Sequence, residues 1–127
     1  MYSTDKADLL KTLCSIHSPS GNEDEMHFFL MQYIVSHSPS WKTTPIIFSG
    51  DEFQNCIVLI FGNPTTAVYA HMDNIGFTVR YGNELVKVGA PKTEDGYRLT
   101  GKDSKGEIDC ILRKGDEGDL TYEFHRE

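Results

Sequence analysis

Hydrophobic residues recur at helical spacing through the first third of the chain. We expect a first helix over residues 4–17 and a second over residues 21–36. The apolar positions of the first are Leu9, Leu10, Leu13 and Ile16. Those of the second are Met26, Phe29, Leu30, Tyr33 and Ile34. Ser20 and Glu23 have the S-x-x-E spacing of a capping box, which predicts that Ser20 caps the second helix.

From Trp41 onwards the pattern becomes strand-like. A strand is predicted over residues 41–48, at an edge or interrupted, because Pro45 cannot donate to a ladder. Residues 53–61 are apolar almost without alternation, which is typical of a strand covered on both faces. Residues 67–70 are predicted to be a short buried strand that ends at His71.

The rest of the chain is predicted to be β. Strands over residues 77–81 and 84–88 flank Gly82-Asn83, a pair that favours a tight hairpin turn. Turns rich in Gly and Asp separate three further strands, at residues 97–100, 108–113 and 120–124. Short strands at this spacing indicate a small barrel or sandwich.

We therefore predict an α/β fold class in two parts: an α/β segment over residues 1–75 and a β-rich segment over residues 76–127. A chain of 127 residues corresponds to one domain, or to one domain and the start of another. Hydrophobic residues make up 39% and charged residues 24%, as in soluble globular proteins.

Net charge indicates which partners are disfavoured, and cysteine usage indicates the cellular compartment. The formal net charge of -7 argues against nucleic acid and against an anionic membrane surface as partners. The beginning of the chain lacks the apolar core of a signal peptide, and no apolar run is long enough to span a bilayer. Cys14, Cys56 and Cys110 are widely spaced and are expected to be reduced, buried thiols. These features predict a cytoplasmic protein.

His71 and Asp73 are the candidate functional residues. Imidazole is a common zinc ligand, and a carboxylate often orients the other ring nitrogen. Residues i and i+2 of an extended chain share a face, and open α/β sheets place their sites beyond the strand ends. The pattern predicts a metal centre with one residue as ligand and the other as its orienting partner or a neighbouring ligand. A coincidental His-x-Asp in an unrelated α/β domain is the alternative. His27 and His37 are predicted to be solvated.

Four motifs carry a resemblance to a known family. Residues 70–77, Ala-His-Met-Asp-Asn-Ile-Gly-Phe, resemble the A-H-M-D-E-I-G-F motif of the dinuclear zinc aminopeptidases that form tetrahedral particles, the glutamyl and deblocking aminopeptidases. Residues 18–23 are similar to that family's S-P-S-G-x-E, and residues 51–55 resemble its D-x-x-G-N. Gly89-Ala90 lies where a G-G pair is usual. The motifs occur in the family's order over residues 5–90.

The resemblance implies part of a three-layer α/β/α zinc-peptidase sandwich, followed by the first strands of an inserted β-barrel-like domain. It implies that His71 is a zinc or cobalt ligand, and that Asp73 lies behind it and tunes the metal or the catalytic water. A complete family member would hold two zinc or cobalt ions, hydrolyse N-terminal residues from peptide substrates with a metal-activated water, and form a homo-oligomer.

The sequence departs from the family in three respects. Asn74 stands where the family has Glu, and Gln54 stands where it has Gly. The family's other ligands and its general-base glutamate follow the β insertion, and no stretch of this sequence resembles them. A catalytic zinc needs about three protein ligands and a water, so one His and one Asp would hold zinc poorly. We expect either the N-terminal portion of such a peptidase or a catalytically inactive binding or assembly module on the same fold.

Overall fold

A computed structural model describes residues 6–124 of the chain. This range contains two α-helices and seven β-strands in three small antiparallel sheets, so the fold is mixed α and β. The chain divides into two compact units, Met1–Asp73 and Asn74–Glu127. No helix within residues 6–124 combines the length and the apolarity that a membrane span needs.

The described part of the first unit, residues 6–73, contains two helices and a hairpin. Its elements are α1 Lys6–Ser15, α2 Asp24–His37, a 3-10 turn Ser38–Ser40, β1 Ile46–Gly50, a 3-10 turn Asp51–Phe53 and β2 Gln54–Ile60. The two strands pair antiparallel, with Phe48 opposite Val58 and a bulge before Gly50. Helix α2 contacts β2 and buries Met26 and Ile34. Both predicted helices are confirmed, and the predicted start of the first lies outside the described residues.

The predicted capping box is wrong. Helix α2 begins at Asp24, and its N-cap residue Glu23 makes no capping hydrogen bond through its side chain. Ser20 and Glu23 instead bond to groups outside the helix. Asp24 and Glu25 still place negative charge in the first turn, which suits the positive end of the helix dipole.

The strand predicted over residues 53–61 is confirmed as β2, but its predicted cover on both faces is wrong. Exposure alternates along β2, with Val58 exposed, because the described sheet has two strands and α2 packs against it. The strand predicted over residues 67–70 is wrong, because these residues form no strand and are exposed. The expected interior positions of two cysteines are wrong as well, since Cys14 and Cys56 are exposed, whereas Cys110 is half-buried.

The described part of the second unit, residues 74–124, contains five strands, as the sequence predicts. They are β3 Gly76–Val79, β4 Leu85–Val88, β5 Arg98–Asp103, β6 Gly106–Lys114 and β7 Leu120–Glu123. Strands β3 and β4 form the predicted hairpin, while β5, β6 and β7 form a three-stranded antiparallel sheet. A bridge between Glu84 and Thr121 joins the two sheets at one corner. The buried core is Leu85, Leu112 and Leu120, with Phe77, Leu99 and Tyr122 packed against it.

Candidate functional site

The candidate site lies at the end of an exposed, irregular segment rather than at the end of a strand. Two serine hydroxyls from the connection between α1 and α2 hold this end in place. Ser18 Oγ donates to the carbonyl oxygen of Met72 at 2.8 Å, and Ser20 Oγ donates to Asp73 Oδ2 at 2.5 Å. Ser18 is only 1% exposed. The His-x-Asp segment is therefore fixed to the first unit although it belongs to no sheet.

The contacts of the His71 ring determine which of its nitrogens is available. Nδ1 lies 2.8 Å from the carbonyl oxygen of Asp73 and 3.3 Å from Asp73 Oδ1. Because both oxygens accept hydrogen bonds, the neutral imidazole carries its proton on Nδ1. Nε2 then keeps its lone pair. The side chain of His71 is 84% exposed, so this nitrogen is open to a ligand from solvent.

Asp73 is held as a carboxylate. The hydrogen bond from Ser20 is the main reason that the pKa of Asp73 is lowered below its ordinary value, and the neighbouring His71 adds to this effect. One carboxylate oxygen accepts from Ser20, while the other faces the imidazole. This is the arrangement in which a carboxylate fixes the orientation and tautomer of a metal-binding histidine.

Glu23 links the motif of residues 18–23, to which it belongs, to the motif of residues 51–55. Its Oε1 accepts a hydrogen bond from the backbone N–H of Gly21 at 2.6 Å, and its Oε2 accepts one from Asn55 Nδ2 at 3.4 Å. The Gly21 contact is the main cause that lowers the pKa of Glu23. Residues 18–23 therefore contact both the His-x-Asp motif and the 51–55 motif, which are separated from them by about 50 and about 30 residues of sequence, respectively.

The motif Gly89-Ala90 contains a glycine that lies close to Ile75 within the second unit. Gly89 has φ +75°, and a Cβ built on it would lie 2.8 Å from Cγ2 of Ile75. Ile75 belongs to the His-x-Asp motif, and the absence of a side chain at Gly89 allows the two to approach.

The described residues do not by themselves fit a catalytic zinc site. No group of three or more His, Cys, Asp and Glu side chains that could hold a metal occurs within residues 6–124. His71 and Asp73 therefore supply too few ligands for the three that catalytic zinc ordinarily takes from protein. Together, His71 and Asp73 provide one oriented imidazole that can bind a metal.

Sequence reasoning missed several polar contacts in the first unit. The sequence pattern indicates no role for Ser18, and for Ser20 it predicts a helix cap. The prediction that His27 is solvated is wrong, because its Nε2 lies 2.7 Å from Ser49 Oγ in a half-buried contact between α2 and β1. His37 is also engaged: its Nδ1 lies 2.8 Å from the carbonyl oxygen of Tyr33. The only sequence signal for the serines was their place in the S-P-S-G motif.

Comparison with known proteins does not assign the chain to a family: no family model matches it, and no curated protein is significantly similar. The structure defines a mixed α and β protein of two units, with a serine-anchored His–Asp pair in the first unit.

Proposed function

We propose that this chain is the N-terminal portion of a metal-dependent aminopeptidase that removes N-terminal residues from peptides. The supporting observation is the contact network in the first unit, in which residues 18–23 bond to Asp73 and to Asn55. These contacts join three of the motifs that resemble the dinuclear aminopeptidases. A coincidental His-x-Asp gives no reason for residues 18–23 to contact both it and the 51–55 motif.

In this proposal His71 contributes one metal ligand through Nε2, and Asp73 holds its ring from the Nδ1 side. Ser20 in turn positions Asp73. The remaining ligands of the two zinc or cobalt ions would come from other residues of a longer protein. Those residues would also complete the three-layer sandwich and the β-barrel-like insertion. The longer protein would be a cytoplasmic homo-oligomer, while this chain alone would bind metal weakly or not at all.

The gene sequence beyond codon 127 tests this proposal directly. We expect the reading frame to continue into an aspartate motif, a Glu-Glu pair and a later histidine, because a working site needs them. A stop codon directly after Glu127 would refute the proposal for this gene.

Activity measurements provide the second test. The longer protein should release N-terminal residues from peptides when zinc or cobalt is added, and His71→Ala should abolish this release. His37→Ala is a suitable control because the His37 ring bonds to Tyr33 and Ser36 among the described residues and does not contact His71 or Asp73 there. The 127-residue chain alone should show no turnover. Turnover by this chain that His71→Ala abolishes would contradict the argument from missing ligands.

A catalytically inactive binding or assembly module is the second candidate. It is favoured by the absence of a third metal-binding side chain near His71 and Asp73 among the described residues. This candidate requires a stop codon after Glu127. It also requires peptide binding or subunit assembly that is unchanged by metal chelation and by His71→Ala.

A further inference from the structure

A tight turn between the two helices carries Ser20. The backbone N–H of Asn22 donates to the carbonyl oxygen of Pro19 at 2.9 Å, which closes a β-turn. Gly21 has φ +89°, whereas the φ of Ser20 is not positive. A positive φ at the third turn residue alone is the mark of a type II turn, because types I′ and II′ need a positive φ at the second residue. Ser20 therefore occupies the second position of a type II turn.

The side chain of Glu23 holds this turn in its type II form. Types I and II differ in the orientation of the central peptide, which here joins Ser20 to Gly21. In the observed orientation, the Gly21 N–H donates to Glu23 Oε1 at 2.6 Å. Reversal of the peptide would turn this N–H away from the carboxylate and would break a charge-assisted hydrogen bond. The other carboxylate oxygen, Oε2, lies 3.4 Å from Asn55 Nδ2, so Glu23 is also held from the side of β2.

The hydroxyl of Ser20 connects the turn to the candidate site. Its Oγ donates to Asp73 Oδ2 at 2.5 Å, while Asp73 Oδ1 lies 3.3 Å from Nδ1 of His71. The side chain of Asp73 is 41% exposed, so packing alone does not restrict it to one rotamer. The hydrogen bond from Ser20 therefore selects the rotamer in which the carboxylate faces His71.

We propose that Glu23 is a positioning residue of the candidate site. By fixing the type II turn, it aims the hydroxyl of Ser20 at Asp73, which keeps the carboxylate facing the imidazole of His71. Among the described residues Glu23 makes no hydrogen bond of its own to His71 or Asp73, so its effect passes through the turn. His71 is a metal ligand only in the proposed function, and this role of Glu23 rests on that function.

The rotamer of Asp73 can be measured by NMR on the 127-residue chain without added metal. The Hα–Hβ couplings report whether the side chain keeps one staggered rotamer or averages over several. We expect one rotamer in the wild type and averaged couplings in Glu23→Ala, as in Ser20→Ala. The double variant should show no more averaging than Ser20→Ala alone, because both changes remove the same contact.

Three further variants separate the turn from charge and from folding. Glu23→Gln should keep the wild-type couplings, because its amide oxygen still accepts from Gly21 although the charge is lost. Asp24→Ala is the matched control: it removes the same charge from the adjacent residue, whose side chain makes no hydrogen bond to the described turn. Gly21→Ala should act like Glu23→Ala. No atom lies within 4 Å of a Cβ built on Gly21, so this change acts through φ alone.

A single Asp73 rotamer in both Glu23→Ala and Gly21→Ala would overturn the proposal, and so would averaged couplings in the wild type. Equal averaging in Glu23→Gln and Glu23→Ala would also overturn it, because the effect would then come from charge and not from the turn. None of these results depends on a metal. A stop codon directly after Glu127 would refute the proposed function but would leave the couplings as expected, so the two failures can be told apart.

Discussion

Replacement of Gln54 by Gly should stabilise the first unit. Gln54 is the only non-glycine residue with a positive φ within residues 6–124. Its backbone angles are φ 52° and ψ -129°, close to the first central position of a type II′ turn, which glycine strongly prefers. At this position the chain passes from the 3-10 turn into β2, and the next residue, Asn55, contacts Glu23. The resembling family has glycine at the same position of its motif.

Two opposing effects determine how much Gln54→Gly changes the free energy of unfolding. A side chain held in such a sparsely populated backbone region costs about 1–3 kcal/mol. Glycine also lowers the free energy of unfolding by about 0.5–1 kcal/mol, because it gives the unfolded chain greater conformational freedom. The middle of both ranges gives a net stabilisation of about 1 kcal/mol for Gln54→Gly. For a unit of this size, about 1 kcal/mol raises the melting temperature by roughly 4–8 °C.

The single tryptophan provides an assay that is specific to the first unit. Trp41 is half-buried, with its ring centroid 6.0 Å from that of Phe61, so its fluorescence should report unfolding of this unit. Urea titrations followed by this fluorescence measure the free energy of unfolding. Gln54→Ala is the matched control, since it removes the exposed amide but keeps the Cβ and therefore the strain.

We expect Gln54→Gly to be more stable than the wild type and Gln54→Ala to be close to it. A Gln54→Gly variant less stable than the wild type would show that any strain at the positive φ is smaller than the entropic cost of glycine, which would refute the estimate. Equal stabilisation by both variants would attribute the effect to the amide side chain and would equally refute the argument from backbone conformation.

Three further changes test the site and the second unit. Ser20→Ala should raise the pKa of Asp73 toward its ordinary value, as followed by a carboxyl-carbon NMR titration. A carboxylate with a lowered folded pKa adds stability above its unfolded pKa, and this stability is lost as pH falls through the folded pKa. Ser20→Ala should reduce this contribution, and the smaller effect of His71 should remain. Leu112→Ala removes a side chain with 0% exposure and should cost about 2–5 kcal/mol, which would abolish the dispersed amide NMR signals of the second unit. Gly89→Ala should destabilise that unit more than Gly82→Ala in thermal melts, because both glycines have positive φ but only Gly89 has a close neighbour.

The parts of the fold that the sequence predicts are those set by local pattern. Helix α2 has its apolar stripe at Met26 and Ile34, and both are buried. The hairpin of β3 and β4 encloses Gly82-Asn83, and Gly82 takes the positive φ that the turn requires. Such features depend on residues that are close in sequence, so periodicity and turn chemistry are sufficient to find them.

The parts that could not be predicted depend on partners distant in sequence. Residues 67–70 have the composition of a strand, but strand propensity mainly reflects packing against neighbours, and no described strand lies beside them. The continuous apolar run of β2 predicted cover on both faces, yet its sheet has one other strand. A sequence indicates that a segment can pair, but it does not indicate whether a neighbour is present.

The failed capping box is the most informative of these differences. Ser20 and Glu23 are the residues that would cap α2, and capping by a serine is typically worth about 1 kcal/mol. Their side chains instead bond to Asp73, to the Gly21 N–H and to Asn55. In place of a local cap, Ser20 thus makes a hydrogen bond that fixes the orientation of Asp73 beside His71. Departures from local rules tend to occur at functional sites, where geometry matters more than local stability. This exchange therefore favours a functional role for the His-x-Asp motif, which its spacing alone could not distinguish from coincidence.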